Sequence, residues 1–174
     1  GKLLAGTLAG SVAITADGVL RASLPLGEIT TSMAFDVLSM GVGEDGTAGF
    51  PLVEVYLTGR ELKTVAEVDA SVTPLMPAAQ LYLAGLEYSF NTHRVCFNRV
   101  TSCRLVNEYS SYELEDDGLY RVVTGMYSAQ MLDTVRKKSF GLLSLEPKMA
   151  DGSPVTDFEA CILRDRNGSE IKEW

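Results

Sequence analysis

Apolar and polar positions alternate most regularly over residues 51–57 (PLVEVYL), a pattern of period two that predicts a β-strand with one buried face. The strand is followed at once by Thr58 and, three residues later, Glu61. That pair is a capping box and predicts a helix running to about Asp69. A second change of pattern occurs over residues 120–133 (YRVVTGMYSAQMLD). An alternating, β-branched run breaks at Gly125 and continues in helix-forming residues through Arg136 and Lys138. Such a strand–turn–helix presents side chains and backbone N–H groups at its bend, where Tyr127 offers a flat face and Asp133 an acceptor. It is equally a common bend of any mixed α and β core.

The rest of the chain divides in the same way. Residues 2–11 are expected to end a helix, although their glycines weaken it. Val12 to Thr15 predicts a short buried strand closed by an Asp17–Gly18 turn. Residues 19–30 are irregular around Pro25 and Gly27, and Thr30 or Thr31 caps a short helix from Ser32 to Leu38. The glycines between Gly41 and Gly49 predict a mobile loop. Leu81 to Asn91 and Arg94 to Val106 pair as a hairpin turning at Asn91–His93. An acidic turn follows at Glu113 to Gly118, then a strand from Phe140 to Leu145. Turns are expected at Asp151–Gly152 and, within a last hairpin, at Asn167–Gly168. Strands outnumber helices and hairpin-length turns join many of them, so the fold class is α+β, and 174 residues suffice for one domain with its own core.

Charge and composition narrow the chemistry. With 46% hydrophobic and 22% charged residues the chain is that of an ordinary folded protein, and no apolar run approaches the ~18 residues of a membrane span. A net charge of −8 argues against a nucleic-acid polymer or an anionic membrane as general partner. Both ends read as cut from a longer polypeptide, with no initiator Met and a terminal Trp174. Three cysteines without C-x-x-C spacing are expected to be buried free thiols, a Cys96–Cys103 bridge being the lesser alternative. His93 is the sole histidine, and it sits on a predicted turn. No His/Asp/Glu cluster for a metal, no nucleophile elbow and no phosphate-cradling glycine motif accompanies it. Recognition is therefore the chemistry expected of this segment. Arg21, just after the Asp17–Gly18 turn, can direct its planar fork at a phosphate or carboxylate, or else pair on the surface with Glu28.

Three segments, in order, resemble one family. Residues 18–30 (GVLRASLPLGEIT), 52–63 (LVEVYLTGRELK) and 120–133 are similar to the corresponding segments of the C-terminal, substrate-binding domain of bacterial 5′-nucleotidases, UDP-sugar hydrolases and 2′,3′-cyclic phosphodiesterases. A weaker echo spans residues 83–91 (LAGLEYSFN) with Arg94 and Val95. The resemblance implies a domain that binds the nucleotide or nucleoside substrate. It also implies an N-terminal metallophosphoesterase domain in cis that holds two divalent metal ions and the catalytic residues. It makes residues 1–174 one such C-terminal domain with no cofactor of its own, in an enzyme that is extracellular, on the cell surface or periplasmic.

Carried over residue by residue, the resemblance makes Arg21 a substrate-holding arginine, Tyr127 the aromatic that stacks on the base, and Asp133 the aspartate six residues on. Two departures stand out. Where the family has a second stacking aromatic in a PFGN turn, residues 39–42 read SMGV, so Met40 replaces the ring; a thioether still covers a ring face, less rigidly. Met131 and Leu132 replace two glycines and add bulk where the ligand would lie. The alternative reading is a binding or structural module that kept the fold and lost the nucleotide pocket.

Overall fold

The computed structural model describes residues 11–38, 41–42, 46–107, 109–131 and 145–173. Its named strands and helices follow in the order β1 (Val12–Ala16), α1 (Thr31–Val37), β2 (Leu52–Thr58), α2 (Gly59–Val72), β3 (Leu81–Ala84), β4 (Leu86–Phe90), β5 (Val100–Val106), β6 (Ser111–Glu113) and β7 (Leu119–Gly125). Residues 126–131 are helical and follow β7 directly. The helix end expected over residues 2–11 and the strand expected from Phe140 to Leu145 lie outside the described residues, except for Ser11 and Leu145.

Two sheets form. One has the strand order β2-β7-β1-β3, the other β4-β5-β6. The first is mixed: β7 pairs antiparallel with β2 and parallel with β1, and β1 pairs antiparallel with β3. The architecture is α+β. In β2 the alternation places Val53, Val55 and Leu57 in the core, all essentially inaccessible. On the next helix Leu62, Val65, Ala66 and Ala70 recur at helical spacing and are buried on the same side, where Cys103 of β5 also packs. Full burial of Leu57 and Leu62 contributes roughly 1.5–3 kcal/mol each.

The capping box is formed. Thr58 Oγ1 accepts from Glu61 N at 3.2 Å, and Thr58 N donates to Glu61 Oε2 at 2.7 Å. The helix runs on to Val72, three residues beyond the expected end. The acidic turn packs against its first residues, with Gly59 N donating to Gly118 O at 3.0 Å and Arg60 N to Asp116 O at 3.0 Å. A Cβ at position 59 would lie 2.1 Å from Glu115 O, so only glycine fits. Lys63 then reaches Asp116 at 2.7 Å, which holds that exposed carboxylate below its ordinary range.

The expected hairpin from Leu81 to Val106 is corrected at two points. Gly85, at φ +79°, divides the first arm, and its Cβ position lies 2.5 Å from Ser11 O, so no other residue fits. Leu81–Ala84 therefore joins β1 in the mixed sheet, while Leu86–Phe90 pairs with β5 in the other. The connection is also longer than the expected Asn91–His93 turn. Residues 91–99 are held on α2, with Phe97 N donating to Ser71 Oγ at 2.9 Å and Arg99 N to Glu67 Oε2 at 2.9 Å. All three thiols are free. Cys103 and Cys161 are buried as expected, whereas Cys96 lies in this connection and is exposed.

The C-terminal segment covers the open edge of β2. Tyr56 N donates to Lys148 O at 2.8 Å, Leu163 N to Leu52 O at 2.8 Å and Leu52 N to Ile171 O at 2.7 Å. An edge strand with unpaired N–H and C=O groups is prone to aggregation, and this segment pairs it at both ends. The expected turns at Asp151–Gly152 and Asn167–Gly168 are present, the second within a hairpin in which Asp165 N donates to Ser169 O at 2.8 Å.

Candidate functional site

β1 and β7 are neighbouring parallel strands, with Val12 opposite Val122 and Ala13 opposite Val123. Their C-terminal ends therefore lie at the same side of the sheet. Chains leaving the carboxyl ends of adjacent parallel strands diverge and leave a crevice, the usual place for a ligand in such sheets. Arg21 follows β1 by five residues and Tyr127 follows β7 by two. Two predicted site residues separated by more than a hundred positions thus leave from one sheet end. Met40 and Asp133 lie outside the described residues.

A cavity of about 320 Å³ connects the two exits. Gly18 and Val19 of the turn before Arg21 line it, as do Tyr127, Ser128 and Met131. Val55 and Leu57 of β2, Val65 of α2 and Val122 of β7 form apolar wall. Its polar groups are few. One of them, Thr124 Oγ1, donates to the carbonyl of Ile14 at 2.9 Å, so that hydroxyl ties β7 to β1. Tyr127 is 40% exposed and Met131 is 39% exposed, so each reaches from the cavity wall towards solvent. The arrangement offers apolar packing to a flat ring; Arg21 is exposed two residues beyond Val19 and is not itself part of the lining.

Local structure sets the position of Arg21. The chain turns tightly after β1 through Asp17–Val19, where Leu20 N donates to Asp17 O at 2.9 Å. Arg21 N then donates to Val37 O at 2.8 Å, which ties it to the end of α1. Tyr127 is positioned by the break of β7 at Gly125, after which Met126 N donates to Pro51 O at 2.9 Å. Gly18, Val19, Ser128 and Met131 were not assigned as site residues from sequence. Met131 enters from sequence only as bulk where the resemblance implies a glycine, and the other three carry no sequence signal beyond closeness along the chain to Arg21 and Tyr127.

The sheet carries an ion pair on its other face, away from the cavity-lining Val55, Leu57, Val122 and Thr124. Glu54 of β2 pairs with Arg121 of β7, and Arg121 also donates to Ser11 Oγ at 3.1 Å. The Glu54 hydrogen bond raises the guanidinium's already high pKa. A separate, polar cleft of about 470 Å³ lies where β3 and β4 part. Asp69 in it accepts from Thr73 Oγ1 at 2.8 Å, Leu81 N at 2.9 Å and the Tyr88 hydroxyl. Burial, with Asp69 beside it, pushes the Tyr88 phenol well above its ordinary value. That carboxylate is engaged in holding α2 to β3 and β4. His93 is exposed, and its backbone N donates to Asn91 Oδ1 at 2.9 Å.

Among the described residues no three His, Cys, Asp or Glu side chains converge as a metal-ion site. No helix among the described residues is long and apolar enough to cross a membrane.

Comparison with known proteins follows the same lines. The family described as 5′-nucleotidase, C-terminal domain, matches residues 5–137. No curated protein matches the sequence. Among solved structures, the chain is similar to a 5′-nucleotidase precursor from Thermus thermophilus, at 26% identity and a TM-score of 0.61, over 74% of this chain and 24% of that one. It shares its fold with the NAD nucleotidase of Haemophilus influenzae (23% identity, TM-score 0.57, 83% of this chain and 26% of that one). A putative 5′-nucleotidase from Staphylococcus aureus has the fold as well (15% identity, TM-score 0.56, 90% and 29%). The chain thus spans only 24–29% of the length of these proteins.

Proposed function

The chain belongs to the 5′-nucleotidase C-terminal domain family, and from that premise we propose that it is the nucleotide- or nucleoside-recognition domain of a 5′-nucleotidase-like phosphoester hydrolase. Metal-dependent catalysis resides in an N-terminal metallophosphoesterase domain of the same polypeptide, which holds two divalent metal ions. The enzyme works outside the cytoplasm, as an extracellular, surface or periplasmic protein. In this reading Arg21 contacts the polar part of the substrate and Tyr127 packs on the base. Met40 assists that packing, and Asp133 shapes the pocket or accepts from ligand hydroxyls.

The observation that supports this reading most is that the segments carrying Arg21 and Tyr127 leave the same end of the parallel pair β1 and β7, with Gly18, Val19 and Tyr127 lining one cavity. A ring packed on Tyr127 gains roughly 1–3 kcal/mol by analogy with base stacking on aromatics. Calorimetric titration with adenosine, AMP and UDP-glucose tests it. Tyr127→Ala should weaken binding by about tenfold or more, which corresponds to the lower part of that stacking range. Arg21→Ala should weaken AMP more than adenosine. Turnover of AMP by residues 1–174 alone, with any divalent metal, would refute the division of labour.

One observation favours a second reading, a non-catalytic module that kept the fold. Met131 lines the cavity where the family resemblance implies a glycine, and the cavity wall is almost wholly apolar. Failure of the full polypeptide to bind any of the three ligands would select that reading.

A further inference from the structure

The turn that leads to Arg21 is held by a side chain that lies outside the candidate site. Tyr82 in β3 stands opposite Thr15 of β1, and its hydroxyl reaches past the end of that strand to donate to Asp17 Oδ1 at 2.9 Å. The same Asp17 donates from its backbone N to Gln80 O at 2.8 Å, and its carbonyl accepts from Leu20 N at 2.9 Å. Asp17 thus joins the entry of β3 to the turn twice, once by its backbone and once by its carboxylate. The next two residues, Gly18 and Val19, line the cavity, and Arg21 follows two positions later. From Leu20 to Met33 every residue is exposed. The course of the chain at Arg21 is therefore set by these ties and by the Arg21 N–Val37 O bond more than by packing. Tyr82 is itself 41% exposed, so burial does not account for a tyrosine there. The hydrogen bond to Asp17 raises its phenol above the ordinary value, and the hydroxyl remains the donor at neutral pH.

We infer that Tyr82 is a positioning residue for the polar side of the candidate site: its hydroxyl, through the Asp17 carboxylate, fixes the turn from which Arg21 reaches the anionic part of the substrate. The inference rests on the function proposed above. A planar guanidinium recognises a phosphate only when its fork is aimed, and that aim comes from hydrogen bonds behind the binding residue. The Tyr82–Asp17 bond is such a support, and a side-chain substitution removes it without touching the backbone. The bond also places a charge. Tyr82 lines the separate polar cleft and not the apolar cavity. Its hydroxyl therefore keeps the Asp17 carboxylate on the β3 side of the turn, away from the anion that Arg21 is to meet.

Calorimetric titration of the full-length protein with AMP and with adenosine tests this. Tyr82→Phe removes only the hydroxyl and should weaken AMP severalfold, at most about tenfold, the range that one net hydrogen bond supplies. Adenosine should be affected less, because it lacks the phosphate that Arg21 meets. In an Arg21→Ala background the same substitution should leave AMP binding unchanged, which a general loosening of the fold would not do. Asp17→Asn keeps an acceptor for the phenol and should bind AMP at least as tightly as the wild type. Wild-type AMP affinity in Tyr82→Phe, or a loss that persists in full when Arg21 is absent, would overturn the inference. A wild-type protein that binds neither ligand would bring down the proposed function and the inference with it. Wild-type binding that Tyr82→Phe leaves intact removes the inference alone.

Discussion

The chain twice enters a helix through a threonine cap, and the two junctions have opposite fates. At Thr58 the cap leads into α2, whose inner face is core and whose Glu61 is only 8% exposed. At Thr30 a simpler cap, the hydroxyl on Met33 N without a returning carboxylate, leads into α1, which buries nothing. Both helices start at a threonine cap, so the threonine alone does not decide which becomes scaffold. The difference lies in what comes back to meet the helix. Glu61 receives Lys148 Nζ at 2.8 and 2.9 Å and Glu146 N at 2.9 Å, both from the C-terminal segment far along the chain. Nothing among the described residues covers α1 well enough to bury one of its side chains. The first junction is therefore a locked frame and the second a displayed surface next to the candidate site.

The largest expected consequence of that difference is at the Glu61–Lys148 pair. Its side chains are 10% and 17% exposed, and removing one partner of a buried pair strands the other charge. Lys148→Ala should cost about 3–5 kcal/mol, read as a marked fall in Tm. The same pair gives the protein an acid-side slope. Burial works against the Glu61 charge, but hydrogen bonds from Lys148, Thr58 and Glu146 override it and hold the carboxyl below its ordinary value of 4.5. Because the native value is the lower one, the stabilisation is complete above about pH 4.5 and is lost as pH falls through the native value. Glu61→Gln should flatten stability against pH in that window.

A smaller effect is expected where the acidic turn meets α2. Gly59→Ala puts a methyl group into the Glu115 carbonyl and should cost about 1–3 kcal/mol by chemical denaturation. The smallest belongs to the other junction. Thr30→Ala removes one cap from a helix with no buried face, and should cost about 1 kcal/mol or less. A loss at Thr30 as large as that at Lys148 would show that α1 is as integral to the frame as α2.

Much of the frame was legible because its signals are local. The alternation of residues 51–57 and the Thr58–Glu61 box describe β2 and the start of α2 without reference to anything distant. The break at Gly125 likewise marks where β7 gives way to helix. The division at Gly85 was missed although the apolar positions change phase there, from Leu81 and Leu83 to Leu86, Tyr88 and Phe90. Only the approach of the Ser11 carbonyl shows why the strand must part there. Cys96 was expected to be buried because free cysteines usually are, yet the connection that holds it is pinned outside the core by Ser71 and Glu67.

For the candidate site the division is similar. The order of the segments around Arg21 and Tyr127, read alone, pointed to the family and named both residues. Their common place depends on a parallel pairing between strands more than a hundred residues apart, which no local pattern encodes. Parallel pairing is fixed by burial over the whole sheet and by which connections can close, both properties of the assembled chain. The sequence by itself therefore determined the family and where α1 and α2 start. Tertiary structure alone decided that the segments carrying Arg21 and Tyr127 leave one end of the sheet, that Glu61 becomes a locked charge, and that residues 20–33 are left exposed. Propensity and capping act over a few residues, whereas burial is settled by every part of the chain that packs.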